Sequence, residues 1–297
     1  ADGLPVRALA SSSRADEGRA DALTRALRHG MVAWRGEPAA DDARTAAAFA
    51  VFDAQLSSET LKTDPAVAEA ALRSAYQPAS GRRSVLLGAE VARVLAQRGG
   101  DAAVRAAVRA GPLQFFADYV EACAKTPCAH PLPARFAAHV ARLNTAWRAV
   151  PEPLRLLRAE ELLGADEVLT QLQALEGATV HPDFVEELTR AAMRARARGD
   201  AEEATRLLAA SARWHPNSAL AALAVAEDAA VRGEREAADA ALQRAFTLRP
   251  ALFNAEFLKV RGETMRFGLT ASGAAALNGL YAQARTLAKR APTKLAH

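Results

Sequence analysis

Apolar positions recur every three or four residues along most of the chain, with polar residues between them. Leu23, Ala26, Leu27 and Met31 share one helical face, and this spacing predicts a helix from Asp16 to about Arg35, closed by Gly36-Glu37-Pro38. A second helix is expected from Asp41 to Leu56. Asp64-Pro65 reads as a cap and a first-turn proline opening a third, through Tyr76. Ser84 to Gln97 is periodic in Val85, Leu86, Val91, Val94 and Leu95. Asp101 opens a short helix that Gly111-Pro112 closes, and Leu113 to Ala124 carries the aromatic cluster Phe115, Phe116 and Tyr119, read as core. Further helices are expected over Ala134–Ala149, Leu154–Leu163 and Ala165–Leu175. No stretch alternates with period two, so no sheet is expected. Residues 1–14 read as a flexible lead-in.

A longer period overlies the helical one. Pro182, Pro216 and Pro250 are evenly spaced, and the same offset of 34 relates Ala192 to Ala226, Gly199 to Gly233, Ala204 to Ala238, Leu208 to Leu242, and Ser211 to Ala245. Each residue type has a physical task. Glycine turns the chain between two antiparallel helices. The small residue lets them approach, leucine fills the space between them, and proline stops the second helix. In this order and period, residues 185–218 and 219–252 resemble tetratricopeptide repeats. The large aromatics common in that family's first helix are replaced by Leu188 and Ala222, and by Ala195 and Ala229.

The expected fold is all-α: a solenoid, or α–α superhelix, of antiparallel helix pairs, similar to tetratricopeptide repeats in its C-terminal half. Residues 15–150 form a helical region, either divergent repeats or a separate helical domain. Residues 151–297 carry the repeats, a degenerate third unit after Pro250 and a C-terminal capping helix.

Composition supports helix. Half of the 297 residues are hydrophobic, mostly alanine and leucine, and 5% are aromatic. The apolar run Ala46–Phe52 falls well short of the about 18 residues that cross a membrane. Of the 38 basic residues only five are lysine, and the net charge is +4. The arginines are interspersed with acids, which suits a solvated helix face; a continuous arginine stripe would instead suit an anionic polymer. Cys123 and Cys128 flank the helix-breaking Pro127. They form a local disulfide if the compartment is oxidising. With His130 they match no common zinc spacing, so no metal or cofactor is expected. The paired carboxylates Glu160-Glu161, Glu186-Glu187 and Glu202-Glu203 diverge by about 100° on a helix and make poor acid–base pairs. Phosphate-cradling glycine loops and nucleophile elbows are absent from the sequence.

The resemblance implies a concave groove lined by the first helix of each repeat. Its positions here are Thr189, Arg190, Met193 and Arg196, then Leu223 and Glu227, then Asn254, Phe257 and Arg261. Methionine and arginine suit peptide recognition; the other reading of all nine is ordinary surface and inter-repeat packing. The expected function is a non-enzymatic scaffold or adaptor that binds another protein. Its setting is the periplasm or a bacterial envelope assembly serving secretion, pilus or surface-polysaccharide machinery, either alone or as the soluble part of a larger membrane protein. Two alternatives stand beside it: an arginine-rich binder of nucleic acid or acidic glycan, and an enzyme with its site in residues 15–150.

Overall fold

Alanine, leucine and arginine at helical spacing produce helices nearly throughout. The computed structural model describes residues 7–36, 42–56, 83–158, 161–266 and 268–290. The helix expected from Asp64 to Tyr76 lies outside the described residues. Among those residues no helix is long and apolar enough to cross a membrane. The chain divides into two compact units. The first comprises residues up to 161 together with 177–182, and the second comprises 162–176 and everything from 183 onward. The two units interleave along the chain.

The first unit contains α1 (Arg14–Gly36), α2 (Asp42–Leu56), α3 (Arg83–Arg109), α4 (Pro112–Lys125), α5 (Ala134–Arg148) and the short α6 (Glu152–Arg155). The two helices expected between Ser84 and Gly111 are both present: α3 is broken at Gly100, whose φ of 66° and ψ of −178° are not helical and suit glycine. The helix expected over Leu154–Leu163 stops at Arg155. The Arg158 amide donates to the Glu161 carboxylate at 2.9 Å, so a side chain takes a donor that a continuing helix would need.

A two-stranded antiparallel sheet, not expected from the pattern, pairs β1 (Leu9–Ser11) with β2 (Val180–Pro182). Three residues are too few to display alternation, and all six are buried. Residues 9–11, read from the sequence as lead-in, are thus part of the core of this unit. The Ser11 hydroxyl donates to Thr179 O at 2.6 Å.

α1 packs along α3, and α4 joins them. Gly30 and Gly88 meet where α1 and α3 cross. A Cβ on Gly88 would lie 1.9 Å from Ala26 O, so the two backbones touch directly. Around them Leu23, Leu27, Leu87, Val91, Phe115, Phe116 and Tyr119 are buried, as the aromatic cluster predicted. Phe52 of α2 meets Phe136 of α5 edge-on with centroids 6.2 Å apart.

One buried charge system ties three elements of this unit. Arg19, 1% exposed, donates to Asp16 at 2.9 Å and, through Nε, to Leu56 O at 2.7 Å. Arg142 of α5 donates to the same carboxylate at 2.9 Å. Burial raises the Asp16 pKa, but hydrogen bonds and charge from Arg142 and Arg19 outweigh it and hold the carboxyl below its ordinary value of 3.8. A depressed folded-state pKa means this stability is complete above that ordinary value and is lost as pH falls through the folded one. Asp16→Asn is expected to cost about 2 kcal/mol near neutral pH, by leaving a buried guanidinium without its counter-charge. Denaturant midpoints of the two proteins should converge as pH is lowered from about 6 to about 2. A gap that stays constant over that range would reject the assignment.

The second unit contains α7 (Ala165–Ala174), α8 (Val185–Ala197), α9 (Ala201–Trp214), α10 (Ala219–Arg232), α11 (Arg235–Leu248), a 3-10 turn (Pro250–Leu252), α12 (Ala255–Met265) and α13 (Ala271–Arg290). α8–α9 and α10–α11 are helix hairpins in one register. Gly199 and Gly233 turn them with φ of 85° and 81°. Asp200 N donates to Ala195 O, and Glu234 N to Ala229 O, at the same step of the repeat. Ala204, Leu208, Ala238 and Leu242 are buried between the helices, as their size requires. His215, before the repeat proline, is also buried. Its Nε2 accepts from Phe184 N at 3.1 Å while Nδ1 faces Ser211 O at 2.9 Å, so the ring joins the end of α9 to the start of α8.

Candidate functional site

Most of the nine positions expected to line a groove meet other parts of the protein. Thr189 and Leu223 are buried. Met193 and Phe257 pack against the core formed with α12 and α13. Arg196 pairs with Asp228, which also receives Arg232 and the Thr205 hydroxyl. Glu227, 0% exposed, accepts Arg261 in a bidentate pair at 2.9 and 2.7 Å and the Tyr281 hydroxyl at 2.6 Å. Asn254 caps α12 by accepting from Phe257 N, and Arg190 pairs along its own helix with Glu186. Burial alone would lower the Arg261 pKa, yet Glu227 raises it above the ordinary arginine value. Burial and Glu227 raise that of Tyr281. The cluster is a charged keystone: its acids and bases answer one another.

Cys123 and Cys128 are joined in a disulfide with Cα atoms 5.1 Å apart. The bond closes the end of α4 onto the loop that follows.

A different arrangement stands in the first unit, where a cleft of about 390 Å³ opens. Its wall is apolar: Leu9 of β1, Met31 of α1, Val108 of α3, Pro112 of α4, Trp147 of α5, and Leu154, Leu156 and Leu157 from α6 and the turn after it. Trp147 is fixed by donating Nε1–H to Ala110 O at 3.1 Å. Gly111 lies under the indole with φ 98°, where a Cβ would stand 3.5 Å from the ring nitrogen. Leu156 forms an exposed lip.

Six arginines complete the lining: Arg7, Arg35, Arg105, Arg109, Arg155 and Arg158. No aspartate or glutamate is among the described lining residues. The sequence places several of these cations for a local reason. Arg35, Arg109 and Arg155 occupy the last turns of α1, α3 and α6, where the carbonyl ends of a helix favour positive charge. Arg105 and Arg109 lie one turn apart on one exposed face of α3. Arg155 is oriented by its Nε–H bond to Val150 O at 2.8 Å, and Arg7 by donating to the carbonyls of Arg158 and Glu161. Among the described residues, Arg35, Arg105 and Arg109 form no ion pair.

Such a site can hold anionic groups at its arginine side and aliphatic groups against its wall. Guanidinium forks match carboxylate and phosphate geometry, are weakly hydrated, and act more strongly beside low-dielectric surface. The sequence reading missed the cleft because its residues come from five segments. The one local signal was the Arg105/Arg109 pair on a helix face. No family model, no curated protein and no solved structure matches the chain.

Proposed function

We propose that the protein works by binding, as a helical scaffold whose arginine-lined cleft takes a short acidic and aliphatic segment of another protein. The observation that carries this reading is the lining itself: among the described residues, six arginines, no carboxylate, and an apolar wall in one cleft. A cavity of this volume is of the size that encloses a few side chains. The two in-register hairpins support a tetratricopeptide-like solenoid in the second unit. The disulfide supports a compartment that oxidises thiols, in keeping with an envelope assembly. An anionic polymer would need cations in a continuous line, whereas these converge on a bounded hollow.

The test is calorimetry with the full chain and three probes: a decapeptide alternating leucine and glutamate, its glutamine counterpart, and heparin. The acidic peptide should bind at least tenfold more tightly than the neutral one, since each charge-assisted hydrogen bond contributes about 1.5–3 kcal/mol. Arg105→Ala with Arg109→Ala should weaken it by a further factor of about ten or more. Equal binding of both peptides would overturn the reading. So would tight, steeply salt-dependent heparin binding that the double variant leaves unchanged.

A further inference from the structure

The disulfide lies in the first unit at the end of α4, and a cation from α3 stands against one of its sulfurs. Arg98 donates to Cys128 Sγ at 3.0 Å and to Thr126 O at 2.8 Å, and it also bonds Ala122 O. Both hydrogen-bonded carbonyls hold the guanidinium in place, so its position does not depend on the sulfur. Among the described residues near this end, Lys125 and Glu121 pair with each other one turn apart, and Arg148 also acts on Glu121. Glu90, on the same helix as Arg98, is paired with Arg93. The loop carrying Cys128 is exposed at Thr126, Pro127 and Ala129.

The two sulfurs are therefore not equivalent. Cys123 sits in the last turn of α4, where the carbonyl end of the helix disfavours a thiolate. Cys128 sits outside the helix beside a fixed guanidinium, which favours one. In thiol–disulfide exchange the sulfur with the lower thiol pKa leaves faster.

We propose that Cys123–Cys128 is a directional thiol–disulfide exchange site, in which a dithiol reductant attacks Cys123 and Cys128 leaves toward Arg98. This goes beyond the cleft and does not depend on it. In the first step the incoming thiolate forms a bond to Cys123 Sγ. The Cys123–Cys128 bond breaks, and its electron pair goes to Cys128, which departs as a thiolate paired with Arg98. In the second step the reductant's other thiol, as thiolate, attacks its own sulfur in the mixed disulfide. Cys123 leaves and takes up a proton. Two electrons have then passed to the protein, and the reductant has become a disulfide. Oxidation runs through the same steps in reverse.

The outcome has a structural reach. The loop after Cys128 seats His130, which is buried against the Phe49 ring of α2 with centroids 5.9 Å apart, and whose backbone carbonyl accepts the Tyr119 hydroxyl. His130 Nε2 also meets Asp42 of α2 at 2.8 Å. Opening the bond frees the covalent tie between that loop and α4.

The experiment uses the full chain and two readings. Oxidised protein is treated with glutathione, quenched by alkylation and mapped by mass spectrometry. Glutathione is expected on Cys123, with Cys128 alkylated, in at least tenfold excess over the opposite product. In reduced protein, the pH dependence of Cys128 alkylation should show a thiol pKa below the ordinary cysteine value of about 8.5. Arg98→Gln should raise it by about one unit and slow the exchange about threefold or more, and Arg98→Lys should restore most of the difference. Circular dichroism establishes that the variants are folded. Glutathione on Cys128, or an even distribution, would overturn the proposal; so would a Cys128 titration that Arg98→Gln leaves unmoved.

Discussion

Gly88→Ala is expected to destabilise the first unit by about 3 kcal/mol or more, lowering its melting temperature by roughly 10 °C. The added methyl would stand 1.9 Å from Ala26 O and 2.7 Å from Ala26 C, which belong to the backbone of α1. A side chain can rotate away from such a clash. A backbone carbonyl inside a helix cannot, so α1 and α3 must separate and every contact between them loosens. Gly279→Ala is the control. Gly279 lies on α13 with no atom within reach of an added Cβ, so alanine there should be neutral or stabilising by about 0.5–1 kcal/mol. Thermal unfolding followed by circular dichroism compares the two. Equal melting temperatures for both variants would mean that α1 and α3 do not meet backbone to backbone.

Glu227→Ala carries the second large effect, about 3–5 kcal/mol lost from the second unit. The wild-type carboxylate receives three donors from two other helices. Its removal strands Arg261, whose side chain is 15% exposed and whose guanidinium does not discharge. Most of the loss is therefore the cost of an uncompensated buried cation rather than the worth of the pair. Two companion variants separate those contributions. Tyr281→Phe removes one donor and should cost about 1–2 kcal/mol. Replacing Glu227 and Arg261 together by methionine should recover most of the loss, because neither charge is then left alone. Denaturant unfolding of the four proteins checks this. A double variant as unstable as Glu227→Ala would show that packing, not charge, dominates the site.

The hairpins were legible because their punctuation is local. Gly199 and Gly233 turn the chain with positive φ where the 34-residue offset put them, and Leu208 and Leu242 fill the spaces assigned to them. The pairing of Glu227 with Arg261 left a trace that went unread. The two residues stand 34 positions apart, the same offset that relates the two hairpins, so opposite charges recur at that offset on α10 and α12. The sequence left both a groove and inter-repeat packing open for them, because nothing local to α10 announces that α12 and α13 pack against it. The arginine cleft was less legible still. Arg7, Arg35, Arg105 and Arg155 come from distant parts of the sequence and line one cleft only through the packing of α1 on α3, the strand pair and the placement of α6. Averaged along the chain, the same arginines look like a solvated surface. After α6 the Arg158 amide goes to the Glu161 carboxylate, a pairing that no helical pattern announces.

The pairing of Leu9–Ser11 with Val180–Pro182 also sets a timetable. A ribosome that has completed α1 to α6 has not yet made the strand that β1 needs. The first unit therefore remains unfinished until residue 182 has emerged, by which time α7 has been made as well. Contacts this distant in sequence form late and slowly. Until then, the edge of Leu9–Ser11 has no strand to pair with. For the same reason a fragment cut after Glu161 lacks the strand that pairs with Leu9–Ser11.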